Sequence, residues 1–550
     1  MADSPTQPGL PLAGTRAASA ATSDLWWRNA VVYCLDVETF QDSNGDGIGD
    51  FPGLIDRLEH IAGLGVTCLW LMPFYPTPDL DDGYDITDHY GVDPRYGSLG
   101  DVVDFLRAAR EHGLRVIADL VVNHTSERHP WFREARASRE SPYRDFYVWS
   151  GDPPEEKPGD VIFPGVEDSI WDYDEEAGEW FLHRFYGHQP DLNVASPRVR
   201  EEIFKALGFW LELGLSGFRV DAVPYFIERL GVDGEAGGDP HELLRDLRGF
   251  LSRRRGDAVL LGEVNLPPDE LGRYFGDEEG DELQLLFDFI ANQALYLALV
   301  REEAEPLARA LEGRPATPEA NGWATFVRNH DELTLDKLSE GEREEVFQAF
   351  APDEGMRIFG RGIRRRVPPM LGGDRRRLEL VYSLLFSLPG MPVLLYGEEI
   401  GMGENLAAEG RMSVRTPMQW TAAPGGGFSE ADPADFCVPL AEGDYAPEHV
   451  NVESQRHDPG SLLNWTGRIV RLRKECPEIG WGEVRVLDVG EPAVFAHRCE
   501  WRGRTFVAAH NLGGEACSVR LDGVNLLTGE REGPELELEP YGYRWLRPAN

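Results

Sequence analysis

Short, nearly continuous apolar runs alternate along this chain with longer stretches in which apolar residues recur at helical spacing. The runs read AVVYCLDV (30–37), VTCLWLMP (66–73), RVIADLVVN (115–123), GFRVDAV (217–223), AVLLGEV (258–264), LQLLFDF (283–289), ATFVRNHDE (324–332) and MPVLLYGEE (391–399). Runs of this kind suit strands covered by helices on both faces. Between them lie amphipathic segments such as FPGLIDRLEHIAGLG (51–65) and SPRVREEIFKALGFWLELG (196–214). The second opens on Ser196 and Pro197, residue types that favour an N-cap and a first helical turn. Eight strand–helix repeats predict an α/β fold, a parallel (β/α)8 TIM barrel built from 25–124 and 196–480.

The repeats are unevenly spaced. Too many residues separate the third and fourth runs for one crossover, so 125–195 is expected to form an inserted lobe. A second insertion, 333–373, follows the seventh run and carries the basic stretch RGIRRRVPP (361–369). From 481 to 550 the helical period gives way to short alternating strands, which predicts a C-terminal antiparallel β-sandwich domain. Residues 1–24 are rich in Ala, Pro, Ser and Thr. They lack the basic start and apolar run of a signal peptide and read as a disordered tail.

The net charge of -42 argues against nucleic acid or an anionic membrane as partner. No segment approaches the length of apolar sequence needed to span a bilayer. The six cysteines (34, 68, 437, 476, 499, 517) form no CxxC pair, which suits a reducing cytoplasm.

In a parallel barrel the chemistry gathers at the C-terminal ends of the strands. Those ends carry Asp119, Asn123 and His124, then Arg219 and Asp221, then Glu263, then His330 and Asp331. Arg219 and Asp221 stand two apart, on one side of a strand otherwise made of core residues. A buried ion pair contributes little to stability by itself, because desolvation offsets the attraction. Taken alone, the pair reads equally as structural or functional. With three carboxylates, two histidines and an arginine on one rim, glycoside chemistry becomes the better reading. That chemistry needs a proton donor and, for retention of configuration, a carboxylate nucleophile about 5–5.5 Å from it. Asp221 fits the nucleophile, ionised by Arg219; Glu263 fits the general acid and base; Asp331 fits a stabiliser of the oxocarbenium-like state, with His124 and His330 on the same ring.

ADLVVNH, GFRVDAV, GEV and FVRNHDE resemble, in order, four short segments of the α-amylase superfamily of retaining α-glucoside enzymes. QPDLN (189–193), RTPMQW (415–420) and DDGYD (81–85) resemble its oligo-1,6-glucosidase-like and trehalose synthase-like branch. YVWS (147–150), HRFYGHQPDLN (183–193), RNHDELTL (328–335) and GIRRR (362–366) are most similar to the trehalose synthase-like members, which interconvert maltose and trehalose. The approach to Arg415 departs from that pattern, with Met412 and Ser413 where the family has Asp and Gly.

The resemblance implies a small disaccharide substrate. Tyr84 would stack on its non-reducing glucose, Asp81 and Arg415 would grip the distal hydroxyls, and Phe185 and Gln189 would enclose the second sugar. If water intercepted the intermediate, the same residues would make an α-glucosidase. A non-catalytic sugar-binding relative would have lost one of the acids, and all three are present. The resemblance is also compatible with a homo-oligomer.

DSNGDGIGD (42–50) places oxygen side chains at Asp42, Asn44, Asp46 and Asp50 with glycines between, the pattern of a hard-cation loop. The family binds Ca2+ or Mg2+ there with the Ile48 carbonyl. It also implies a second structural Ca2+ at Asn123, Asp191 and Glu228 with the Tyr225 and Phe226 carbonyls. No organic cofactor is expected.

Overall fold

The structure is a computed structural model that describes residues 25–152, 155–156, 161–228 and 239–548. The tail expected at 1–24 lies outside them. Eight parallel strands close into a barrel in the order β1-β8-β7-β6-β5-β4-β3-β2. They are β1 Val32–Leu35, β2 Cys68–Leu71, β3 Arg115–Leu120, β4 Gly217–Val220, β5 Val259–Gly262, β6 Leu285–Phe287, β7 Gly322–Phe326 and β8 Met391–Leu395. Each coincides with one of the eight apolar runs, but most are shorter. The run at 217–223 leaves the ladder after Val220, and the run at 115–123 leaves it after Leu120. The residues beyond, Asp221 to Val223 and Val121 to Asn123, leave the ladder and bring Asp221 and Asn123 to the rim.

Helix Phe289–Arg301 is buried nearly all round, whereas others bury one stripe. In Leu99–Glu111 the buried residues are Val102, Phe105, Leu106 and Ala109, and a reciprocal Ser98–Asp101 capping box starts the helix. The stretch 51–65 is two helices, Phe51–Asp56 and Leu58–Leu64, rather than one. Ser196 does occupy the N-cap position of Pro197–Leu213, but its side chain makes no cap bond. Its hydroxyl donates to Asp145 at 2.9 Å instead, tying the helix to the preceding segment.

Within 125–195, Trp149–Ser150, Glu179–Leu182 and Trp171–Asp174 form a three-stranded antiparallel sheet. A backbone bridge His124↔Asp191 ties the lobe to the barrel rim, and Tyr147↔Leu192 closes the lobe on itself. Within 333–373 a second small sheet joins Leu333–Thr334, Gly362–Ile363 and Arg357–Ile358. At the C-terminus a six-stranded sheet and a separate two-stranded one follow Pro477–Trp481. This unit docks through buried hydrogen bonds from Ser383 to His510 and from Trp545 to Ser383. All six cysteines are free. Among the described residues, no helix is long and apolar enough to cross a membrane.

Strand β4 begins at a point where only glycine fits. Gly217 has φ +147, and a Cβ there would lie 2.2 Å from the Val259 carbonyl oxygen of β5. Gly217→Ala is therefore expected to destabilise the protein by about 2–4 kcal/mol, through strain and a displaced strand pair. Thermal unfolding checks this, and an unchanged melting temperature would refute it.

Candidate active site

The strand register brings the acids together. Asp119 on β3 is the register partner of Arg219 on β4, so the two side chains project side by side. Arg219 is 1% exposed, and its guanidinium pairs with three carboxylates. Nη1 lies 2.6 Å from Asp119 and also bonds Asp221; Nη2 lies 2.8 Å from Glu263. One rigid planar fork thus sets the separation of Asp221 and Glu263. Immediately after Asp221 the backbone enters the left-handed region at Ala222, φ +50, whose amide donates to Glu263 at 3.1 Å. A strained residue directly after Asp221 is held by its hydrogen bond to Glu263.

Burial is the largest influence on both acids and raises them. Asp221 sits at about 6, with Arg219 pulling the other way, and Glu263 at about 7. The ionising effect expected of Arg219 has the expected sign, but it does not outweigh desolvation. Asp119, buried as well, is raised to about 6.

Asp331 goes the opposite way. Burial pushes it up, and the charges of His330, Arg411, Arg415 and Arg219 reverse this and hold it well below the ordinary carboxylate range. His330 is itself driven well below its ordinary value by burial and is neutral at pH 7. The guanidinium groups therefore carry the reversal. Arg411 Nη1 lies 2.8 Å and Arg415 Nη2 3.1 Å from the same Asp331 oxygen.

Tyr84 lies parallel to the His330 ring and its hydroxyl meets His330 Nε2 at 2.6 Å. His124 packs against Phe185, is lowered to about 3 by burial, and keeps a buried Nε2 with no protein partner. Gln189 donates to Asp81 at 2.9 Å. Arg415 does not pair with Asp81. It pairs with Asp82 and Asp331 and donates to the His330 carbonyl at 2.9 Å. The guanidinium on Asp81 belongs to Arg411, at 2.8 Å.

Arg411 is thus a site residue that the sequence reading missed. Its signal was present, two positions before the departure at Ser413, but the neighbouring RTPMQW drew attention to Arg415. An open cavity of about 360 Å³ reaches Glu263, Asp331 and Arg411 from the side of Phe185 and Tyr225. Tyr84, His124, Gln189, Asp221 and His330 are buried off this cavity.

A partial roof joins the two insertions beside the open cavity. Phe163 of the lobe lies 4.7 Å from the Phe359 ring of the second insertion, and the Arg361 guanidinium donates to the Ile162 carbonyl at 2.8 Å. Phe163 also stacks on Tyr186 at 4.6 Å and lies beneath Arg411 at 5.5 Å. No motif marked Phe163 or Phe359, and the basic stretch that opens on Arg361 did not reveal its partner, because this contact joins segments far apart in the chain.

In the loop 42–50 the side chains fold the turn by capping its amides. Asp42 accepts from Asn44, Gly45 and Gly47, Asn44 from Asp46, and Asp46 from Ile48. Asp50 accepts from Ser43 and Gly53. Asn123 donates to Asp191 at 3.0 Å, while its own Oδ1 is buried without a partner. Arg184 lies 3.8 Å from Asp191. Glu228 ends the helix Val223–Glu228. The Tyr225 ring packs edge-on against Phe185 and lines the open cavity.

A barrel with three acids around one guanidinium at its rim defines a class. The α-amylase catalytic domain profile matches residues 36–349 and 363–482, and the chain belongs to the α-amylase family. Within it the chain is similar to trehalose synthases. It is 42% identical to that of Pimelobacter sp. over 87% of this chain and 85% of that protein. It is 45% identical to that of Thermus thermophilus over 89% of this chain and half (50%) of that longer protein. Among solved structures, a trehalulose synthase in complex with Tris superposes with a TM-score of 0.77 at 25% identity, covering 95% of this chain and 100% of that one.

The two raised acids set a pH expectation. Activity that needs Asp221 ionised falls as pH drops through about 6, and activity that needs Glu263 protonated falls as pH rises through about 7. A plot of kcat/KM should be a narrow bell between these limbs, which belong to the pair rather than to either acid alone. A flat profile from about pH 5 to 9 would contradict this assignment of charge states.

Proposed function

We propose that the protein interconverts maltose and trehalose by moving a glucosyl group within one closed site. The Asp221 carboxylate attacks C1 of the non-reducing glucose, the C1–O bond breaks, and Glu263 protonates the departing glucose. The freed glucose turns in place. Its anomeric hydroxyl then attacks C1 and gives its proton to Glu263, and Asp221 leaves with its electron pair. Asp331, kept anionic, and the neutral His124 and His330 meet the hydroxyls of the ring as positive charge develops at C1. Tyr84 lies under the same ring, and Asp81, Arg411 and Arg415 close its far end. Phe185 and Gln189 border the departing glucose.

The observation that carries this reading is the roof. A hydrolase needs water to reach the intermediate, whereas the Phe163–Phe359 contact and the Arg361 hydrogen bond bridge the two insertions beside the acids and narrow that access. Incubation with maltose should therefore give mainly trehalose and little free glucose. Phe359→Ala should raise the share of glucose by about threefold or more, because water then competes with the retained sugar. If glucose dominates with the unaltered protein, the enzyme is an α-glucosidase.

Asp221→Asn should lower turnover on every α-glucoside by roughly 10⁴-fold or more with the fold intact. Glu263→Gln should keep more of its rate on aryl α-glucosides, whose leaving groups need little protonation. Near-normal turnover by Asp221→Asn would refute the assigned roles.

We also propose structural Ca2+ in the loop 42–50, held by Asp42, Asn44, Asp46 and Asp50 with the Ile48 carbonyl. Oxygens crowded in one turn favour a hard cation. An ion at the second position would take the partnerless Asn123 Oδ1, Asp191, Glu228 and the Tyr225 and Phe226 carbonyls, in place of the Arg184 contact. Neither ion has a part in the chemistry. Treatment with EDTA should lower the melting temperature, and added Ca2+ should restore it. An unchanged melting temperature, with no metal found in the purified protein, would rule out both sites.

A further inference from the structure

We infer, resting on the α-glucoside reading of the site, that Ser413 is a positioning residue. It fastens the loop that carries Arg411 to the arginine run of the second insertion, and so sets how that guanidinium grips the non-reducing glucose.

The basic stretch RGIRRRVPP (361–369) supplies the fixed side of this fastening. Its three consecutive arginines turn to the segment after β8. Arg364 donates through Nη2 to the Leu406 carbonyl at 3.1 Å and to the Ala408 carbonyl. Arg365 pairs with Glu404 at 2.8 Å. Arg366, fully buried, donates to the carbonyls of Val414 and Tyr396, both at 2.8 Å.

Arg411 and Ser413 share one short 3-10 helix, Gly410–Val414, which has no side-chain cap bond at its start. The Arg411 side chain reaches Asp81 and Asp331. Ser413 is buried and meets Arg364 twice. Its hydroxyl donates to the Arg364 carbonyl at 2.9 Å and accepts from Arg364 Nε at 3.3 Å. A helix of this length has little stability of its own, so its orientation follows from such anchors. Ser413 is also a position where the approach to Arg415 departs from the family pattern, and a glycine there offers no hydroxyl for either bond. The same insertion reaches the lobe through Arg361 and the Ile162 carbonyl. The grip on the glucose and the partial roof are therefore tied to one segment.

Losing the anchor lets Arg411 shift without leaving an acid alone. Asp331 keeps Arg415 at 3.1 Å, and Asp81 keeps the Gln189 amide at 2.9 Å. Asp221 and Glu263 stay in place, because Arg219 holds them. Glucose then binds less tightly while the chemical step is spared, which raises KM and leaves kcat.

The test measures KM and kcat of the full-length protein on maltose and on 4-nitrophenyl α-glucoside, whose glucose takes the same place. Ser413→Ala should raise KM on both about fivefold, the scale of one lost hydrogen bond, with kcat within about twofold. Arg364→Lys keeps the charge but loses the fork, and should raise KM in the same way. In an Arg411→Ala background, Ser413→Ala should add nothing further, whereas a general loss of stability would add. An unchanged KM in both variants, or an effect that adds to Arg411→Ala, would overturn the positioning role. Trehalose formation by the unaltered protein separates the two readings. If it is absent while the aryl glucoside is cleaved, the isomerase reading falls, and KM on the aryl glucoside still decides the role of Ser413.

Discussion

Everything at this site depends on a guanidinium buried in the barrel. Arg219 is 1% exposed, and a charge so placed needs compensation from every direction. Asp119, Asp221 and Glu263 supply it, and the rings of Trp70 and Tyr84 lie 5.5 and 5.9 Å from it. The ion cluster is costly as a source of stability. Its value is geometric: a flat, rigid fork holds two carboxylates at a fixed separation, and the residue directly after Asp221 accepts a left-handed backbone to keep it so.

The same cluster divides the acids into types. Asp221 and Glu263 share one cation with Asp119, so desolvation outweighs its attraction and both are raised toward neutrality. Asp331 faces two guanidinium groups, each shared with only one other carboxylate (Asp81 or Asp82), and is held ionised. Three carboxylates on one rim thus differ in charge for a reason visible in the number of cations around each.

Retention of a released sugar is a separate problem from bond cleavage, and a separate part of the molecule bears on it. Phe163 is the meeting point. It touches Phe185 and Tyr186 of its own lobe, Phe359 of the second insertion and Arg411 of the loop after β8. The acids come from the ends of barrel strands, whereas the contact beside their cavity is made by the two insertions together.

Much of this was legible in the amino-acid order. Eight apolar runs specified eight barrel strands, because a strand buried on both faces must be apolar throughout. The acids were legible because polar residues at the ends of such strands have few other reasons to be there. Local spacing also placed Arg219 beside Asp221. Other features came only from the tertiary structure. Strands stop where the ladder stops, so 217–223 lost its last three residues to the rim. Ser196 bonds Asp145 instead of its own helix. Arg411 joins Arg415 at the site although only Arg415 was legible in a motif, since which guanidinium reaches Asp81 is settled by the loop that carries them. Phe163, Phe359 and Arg361 form a roof from segments nearly two hundred residues apart in the chain (Ile162 to Arg361, 199). Periodicity reports which face of an element is buried, whereas a contact between loops depends on where the fold brings their ends.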